Sequence, residues 1–100
     1  MATRMYLDSL RKTVTTAGTA VPLSAESLPV SSFTIRAKAS NTGLIYVGKE
    51  DVDNSKVPLQ ATEAVSWEGT STPNALDLSE VYIDASVDGE GVDVFYVTYE

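Results

Sequence analysis

The stretch "SSFTIRAKASNTGLIYVG", residues 31–48, decides how this chain folds. Phe33, Ile35, Ala37 and Ala39 alternate with Thr34, Arg36 and Lys38. In an extended chain successive side chains point to opposite faces, so one set turns inward and the other meets water. This is a half-buried strand. Asn41-Thr42-Gly43 then reads as a turn, because Asn and Gly accept the positive φ that a tight reversal demands. The apolar run Leu44, Ile45, Tyr46 and Val47 follows, as expected of a strand covered on both faces, and Gly48 closes it.

The same grammar continues downstream. "KVPLQATEAVSWEG" predicts a short edge segment interrupted by Pro58 and a strand from Ala64 to Trp67, ending at Gly69. "STPNA" is a loop. Val81, Ile83 and Ala85 alternate with Tyr82 and Asp84, and "DGEG", residues 88–91, is the strongest hairpin signal in the sequence. After it Val92, Val94, Tyr96 and Thr98 fall on one side of a strand, with Asp93, Phe95, Val97 and Tyr99 on the other. Strands at roughly ten-residue spacing, joined by Gly, Asn, Asp and Pro turns, predict an all-β fold. The expectation is an antiparallel β-sandwich or small jelly-roll-like barrel of about seven or eight strands over residues 24–100.

Residues 1–23 read as an extended N-terminal arm. "TVTTAGTAVPLS" favours extended structure broken at Gly18, and Pro22 and Pro29 hold themselves and their predecessors away from helical angles. Such an arm either packs back on its own sheet as an edge strand or reaches across to a neighbour.

Composition narrows the functional classes. One hundred residues suffice for a single core. Residues 1–40 carry five basic side chains against two acidic ones, a net +3, while residues 41–100 carry two against twelve, a net −10. An acidic bulk repels phosphates, which excludes general nucleic-acid binding, and a basic leading segment suits an acidic neighbour or a second copy. No apolar run approaches the ~20 residues that cross a bilayer, and no membrane partner is expected. With no histidine and no cysteine, imidazole bases, thiol nucleophiles and zinc sites are excluded. A carboxylate pair remains the one route to hydrolysis, but a small β domain rarely supplies the cleft. The expectation is a non-enzyme without cofactor.

Two carboxylate groups need a separate reading. "DVDNSKVPLQATE" begins like a calcium loop with Asp51, Asp53 and Ser55, but Lys56 stands where the turn glycine is required and Thr62 where the bidentate glutamate belongs. Asp84, Asp88, Glu90 and Asp93 surround the "DGEG" turn and form a second candidate for a hard cation. Both are read as turn chemistry, and no metal ligand is assigned.

The aromatic residues Tyr46, Trp67, Tyr82, Phe95, Tyr96 and Tyr99 all lie on predicted strands, more than one thin core accommodates. Some should be covered by other subunits. The predicted contact residues are Arg4, Tyr6, Leu7, Arg11 and Lys12 in the arm with Tyr96 and Tyr99 on the last strand. An aromatic stripe that stacks on sugars, as in a carbohydrate-binding module, is the rival reading.

The order "AVPLSAESLPVSSFTIRAKASNTGLIYVG", then "VPLQATEAVSWEG", then "DLSEVYIDASVDGEGVDVFYV" resembles the small β-rich virion structural proteins of tailed bacteriophages, over residues 20–99. The resemblance implies an oligomeric capsid decoration (cement) protein, made in the host cytoplasm and carried on the virion. Its partners would be copies of itself and the major capsid protein or another virion protein. A neck or tail component is the alternative within that class.

Overall fold

The computed structural model describes residues 5–68 and 76–99. It is an all-β sandwich of antiparallel sheets. The strands are β1 (Met5–Val14), β2 (Val21–Pro22), β3 (Pro29–Val30), β4 (Ser32–Ala37), β5 (Ile45–Gly48), β6 (Pro58–Leu59), β7 (Ala64–Glu68), β8 (Leu76–Asp77), β9 (Tyr82–Ala85) and β10 (Glu90–Tyr99), with a 3-10 turn over Leu78–Glu80. One sheet has the order β1-β10-β4-β7, the second β2-β9-β5-β6, and β3 and β8 form a two-stranded ribbon. Among the described residues the count of ten exceeds the expected seven or eight because β2, β3, β6 and β8 are two-residue pieces. Among the described residues no helix is long and apolar enough to cross a membrane.

Alternation in the sequence becomes layering in the structure. Ile35 and Ala37 from β4, Val92, Val94 and Tyr96 from β10, and Val14 from β1 turn toward Ile45, Ile83 and Ala85 of the second sheet, forming one buried cluster with Leu23, Val30, Leu78 and Val81. Removing these side chains from water is the main favourable term in the fold, about 1.5–3 kcal/mol for each large aliphatic residue. Tyr96 is inside this layer, whereas Tyr46, also buried, shares the opposite face of the second sheet with Asp84. The Tyr96 hydroxyl donates to Asp8 Oδ2 at 3.4 Å, and partial burial, with the Asp8 charge beside it, raises the Tyr96 pKa.

Two turn readings need correction. "DGEG" does not close a hairpin: β9 pairs with β2 and β5, whereas β10 pairs with β1 and β4, so the chain crosses here from one sheet to the other. Asn41-Thr42-Gly43 makes a second crossing, from β4 to β5, and neither Asn41 nor Gly43 has a positive φ. Close approach is what favours Gly43, since a Cβ there would come within 2.4 Å of Ser86 Oγ and displace that side chain. The two crossings hold each other. Glu90 accepts from the Thr42 and Gly43 amides at 2.6 and 2.8 Å, while buried Asn41 donates from Nδ2 to the Gly91 carbonyl at 2.9 Å.

The leading segment takes the first of its two expected placements. Residues 5–14 pair with β10 along their whole length, from Met5 opposite Tyr99 to Val14 opposite Glu90. Val21 and Pro22 pair with Ile83 and Tyr82. Strands on both sides of residue 23 therefore belong to the same two sheets.

Candidate assembly surface

Register places the outward-facing residues of the first sheet in three rows. Leu7, Val97, Ser32 and Glu68 form one row, Ser9, Phe95, Thr34 and Ser66 the next, and Arg11, Asp93, Arg36 and Ala64 the third. Phe95 sits near the middle and is 55% exposed, with Leu7 at 74%. Beside this aromatic, Thr34 Oγ1 and Ser66 Oγ lie 2.9 Å apart in a hydrogen bond.

The third row is an ion ladder. Arg11 Nε reaches Asp93 Oδ1 at 2.8 Å and Arg36 reaches Asp93 Oδ2 at 3.5 Å. Partial burial pushes the Asp93 carboxyl upward, but the hydrogen bonds and charges of Arg11 and Arg36 outweigh it and leave the pKa lowered. One carboxylate between two guanidiniums leaves the row with a net positive charge on an acidic protein. A depression of about 500 Å³ lies between this row and Phe95, lined by Ser9, Arg11, Arg36, Asp93 and Phe95. A smaller one of about 290 Å³ lies on the other side, lined by Leu7, Ser32, Thr34, Ser66 and Glu68.

The predicted contact residues divide between the two faces of the first sheet, Leu7 and Arg11 outward and Tyr6 and Lys12 inward. Tyr6, Leu7, Arg11 and Lys12 lie on β1, and Tyr96 and Tyr99 lie on β10 beside it. Tyr96 departs from the expectation of a subunit contact: its side chain is 8% exposed and faces the core, because it shares the inward phase of Val92 and Val94. Arg4 and the Tyr99 side chain lie outside the described residues, as does the "STPNA" loop. Phe95 and Asp93 were missing from the predicted set. The outward phase of β10 was the available signal, since it alternates Asp93, Phe95 and Val97 against an inner set that is already apolar.

A second apolar area wraps the far edge of the sheet. Phe33 and Trp67 stack with ring centroids 6.1 Å apart and planes inclined by 27°. Their row faces inward, but β7 is an edge strand and Val65 and Trp67 remain exposed.

The carboxylates around the crossing are each occupied separately, which explains why the sequence concentrates them there. Asp84 is 3% exposed, and its Oδ1 accepts from the Gly18 and Ala85 amides. Asp88 accepts from the Ala17 amide, Glu90 from Thr42 and Gly43, and Asp93 from the two arginines. In the earlier loop Asp53 accepts from the Ser55 amide and hydroxyl. These are backbone staples and an ion ladder. Among the described residues no group of three or more acidic side chains converges as metal ligands would.

The staples make stability sensitive to acid. Hydrogen bonds lower the pKa of Asp53, Asp77 and Glu90, and the arginines lower that of Asp93. A carboxyl whose folded pKa lies below its unfolded value, ordinarily about 3.9 for Asp and 4.3 for Glu, stabilises the fold fully above that unfolded value. The contribution disappears as pH falls through the folded pKa. With no histidine in the sequence, the thermal midpoint should stay nearly level between about pH 6 and 8 and drop progressively below about pH 5. Circular dichroism melts across that range check it.

Comparison with known proteins finds no matching family model, no matching curated protein and no matching solved structure.

Proposed function

We propose that this protein is a non-enzymatic assembly subunit, of the kind that decorates and stabilises a bacteriophage capsid, working through contact area with copies of itself and with a capsid or other virion protein. The observation that carries this reading is the open face of the first sheet. A half-exposed phenylalanine stands between hydroxyl-bearing residues and an arginine-rich ladder. Aromatic and arginine side chains at the centre of a patch are the ones that dominate protein–protein binding energy. The resemblance over residues 20–99 supports the virion setting, and a neck or tail position is the alternative within it.

The test is Phe95→Thr, which keeps a strand-forming residue and removes the apolar projection. Thermal stability should change by about 1 kcal/mol or less. Association with the particle, measured by co-sedimentation, should weaken at least about 30-fold, the effect of losing a contact worth ~2 kcal/mol. Unchanged association would remove this face from the proposal. The stacked Phe33–Trp67 pair favours a second reading, a carbohydrate-binding module. That reading requires a monomer whose tryptophan fluorescence is quenched on titration with glycans.

A further inference from the structure

The first sheet ends in a long edge strand, β1. β1 is ten residues long, contains neither proline nor glycine and, among the described residues, pairs on one side only. An unpaired strand of this length offers amides and carbonyls to another strand, and here the Ser9 amide, which donates to Asp8 Oδ1 at 2.8 Å, has to exchange that bond on pairing. Its inward-facing residues include two opposite charges, Asp8 and Lys12, placed symmetrically about Leu10.

That symmetry fixes a register. When two copies of one strand pair antiparallel about a two-fold axis normal to the sheet, directly opposed residues share a face. Even-numbered residues of β1 therefore oppose even-numbered ones. With Leu10 on the axis, Asp8 of each copy stands opposite Lys12 of the other, and Tyr6 stands opposite Val14. On the outer face Ser9 opposes Arg11 and Leu7 opposes Thr13. Moving the register by two residues in one direction sets Arg11 against Arg11, and in the other it sets Asp8 against Leu10. Of these registers only the Leu10-centred one sets Asp8 against Lys12 and every inward apolar residue against another, with Arg11 opposed by the neutral Ser9.

We propose that β1 is a self-pairing edge, joining two copies of this chain through β1–β1 antiparallel pairing centred on Leu10 and making one continuous eight-stranded sheet. The inference rests on the assembly reading above and names its subunit contact. The two Phe95 faces then lie on the same side of the joined sheet, where both meet one partner surface.

Two measurements decide it. Opposed Cα atoms in an antiparallel pair lie about 4.5–5.5 Å apart, inside the ~4.4–6.8 Å range of a disulfide. The chain has no cysteine of its own, so Leu10→Cys should run as a covalent dimer under mild oxidation, while Thr13→Cys, whose copies lie far apart in this register, should stay monomeric. Charge exchange is independent of that chemistry. Asp8→Lys and Lys12→Asp should each weaken self-association at least tenfold by opposing like charges, and the double exchange should restore it to within about threefold. Failure of the double exchange to restore association overturns the register. A protein that oligomerises in sedimentation without Leu10→Cys cross-linking overturns the β1 contact and leaves the assembly reading standing. A strict monomer at every concentration and on the particle overturns both.

Discussion

Gly91→Ala should cost about 3 kcal/mol and lower the melting temperature by roughly 12–24 °C. A Cβ at this position would lie 2.0 Å from the Lys12 carbonyl oxygen and 2.8 Å from Thr13 Cα. Both are backbone atoms of the neighbouring strand, so no side-chain rotation relieves the contact. The strands must separate where Thr13 faces Gly91, and the loss spreads to Asn41, whose amide is bonded to the Gly91 carbonyl. Gly89→Ala provides the contrast. Its φ is +82°, but nothing lies within 4 Å of the added carbon. The cost there is the left-handed backbone conformation alone, about 1 kcal/mol. Chemical denaturation of the two variants side by side separates a steric wedge from a conformational penalty, and equal losses would contradict the close packing of β1 on β10.

Asp77→Ala is expected to cost roughly 2–3 kcal/mol. This carboxylate caps the 3-10 turn by accepting from the Ser79 amide and hydroxyl at 2.9 and 2.7 Å. It also accepts from the Leu28 amide at 2.8 Å and from the Ser27 hydroxyl. Two segments far apart in sequence thus meet on one side chain. Those four hydrogen bonds hold its pKa well below the usual carboxylate range, the Ser27 hydroxyl contributing most. Removing the carboxylate leaves the partly buried Leu28 amide without its acceptor at the entrance to the β3–β8 ribbon. Asp77→Asn, which retains one acceptor oxygen, should recover about half of the loss. Ser27→Ala together with Ser79→Ala tests the hydroxyl share, since the amide bonds survive in that variant.

Strand positions were legible in the sequence, but the choice of sheet was not. Phe33 to Ala37 and Val92 to Tyr96 announce themselves by strict alternation, and the structure buries the phase that the alternation assigns. The Asp88-Gly89 pair announces a reversal with equal clarity, yet local turn chemistry only bends the chain. Which sheet receives the next strand depends on partners supplied elsewhere: β10 is taken by β1 and β4, residues that stand far away along the chain. Asp84 shows the same limit on a smaller scale. It sits at a position that alternation marks as wet, and it is buried because the Ala17–Gly18 segment lays an amide on it. Of the contact set, the juxtaposition of β1 with β10 follows from long-range pairing that no spacing rule reveals, while the inward direction of Tyr96 was readable from its phase with Val92 and Val94.

The pairing of β1 with β10 also has a consequence for biosynthesis. β10 lies between β1 and β4 in the first sheet, and it follows both of them along the chain. A ribosome therefore releases β1 and β4 before the strand that joins them exists. Until Glu90–Tyr99 emerges these two strands have no shared partner, so the first sheet can only close after translation has passed it. Folding should accordingly be slow and all-or-none, as non-local β pairing generally is, and a nascent chain stopped ahead of Glu90 should remain a target for chaperones and proteases.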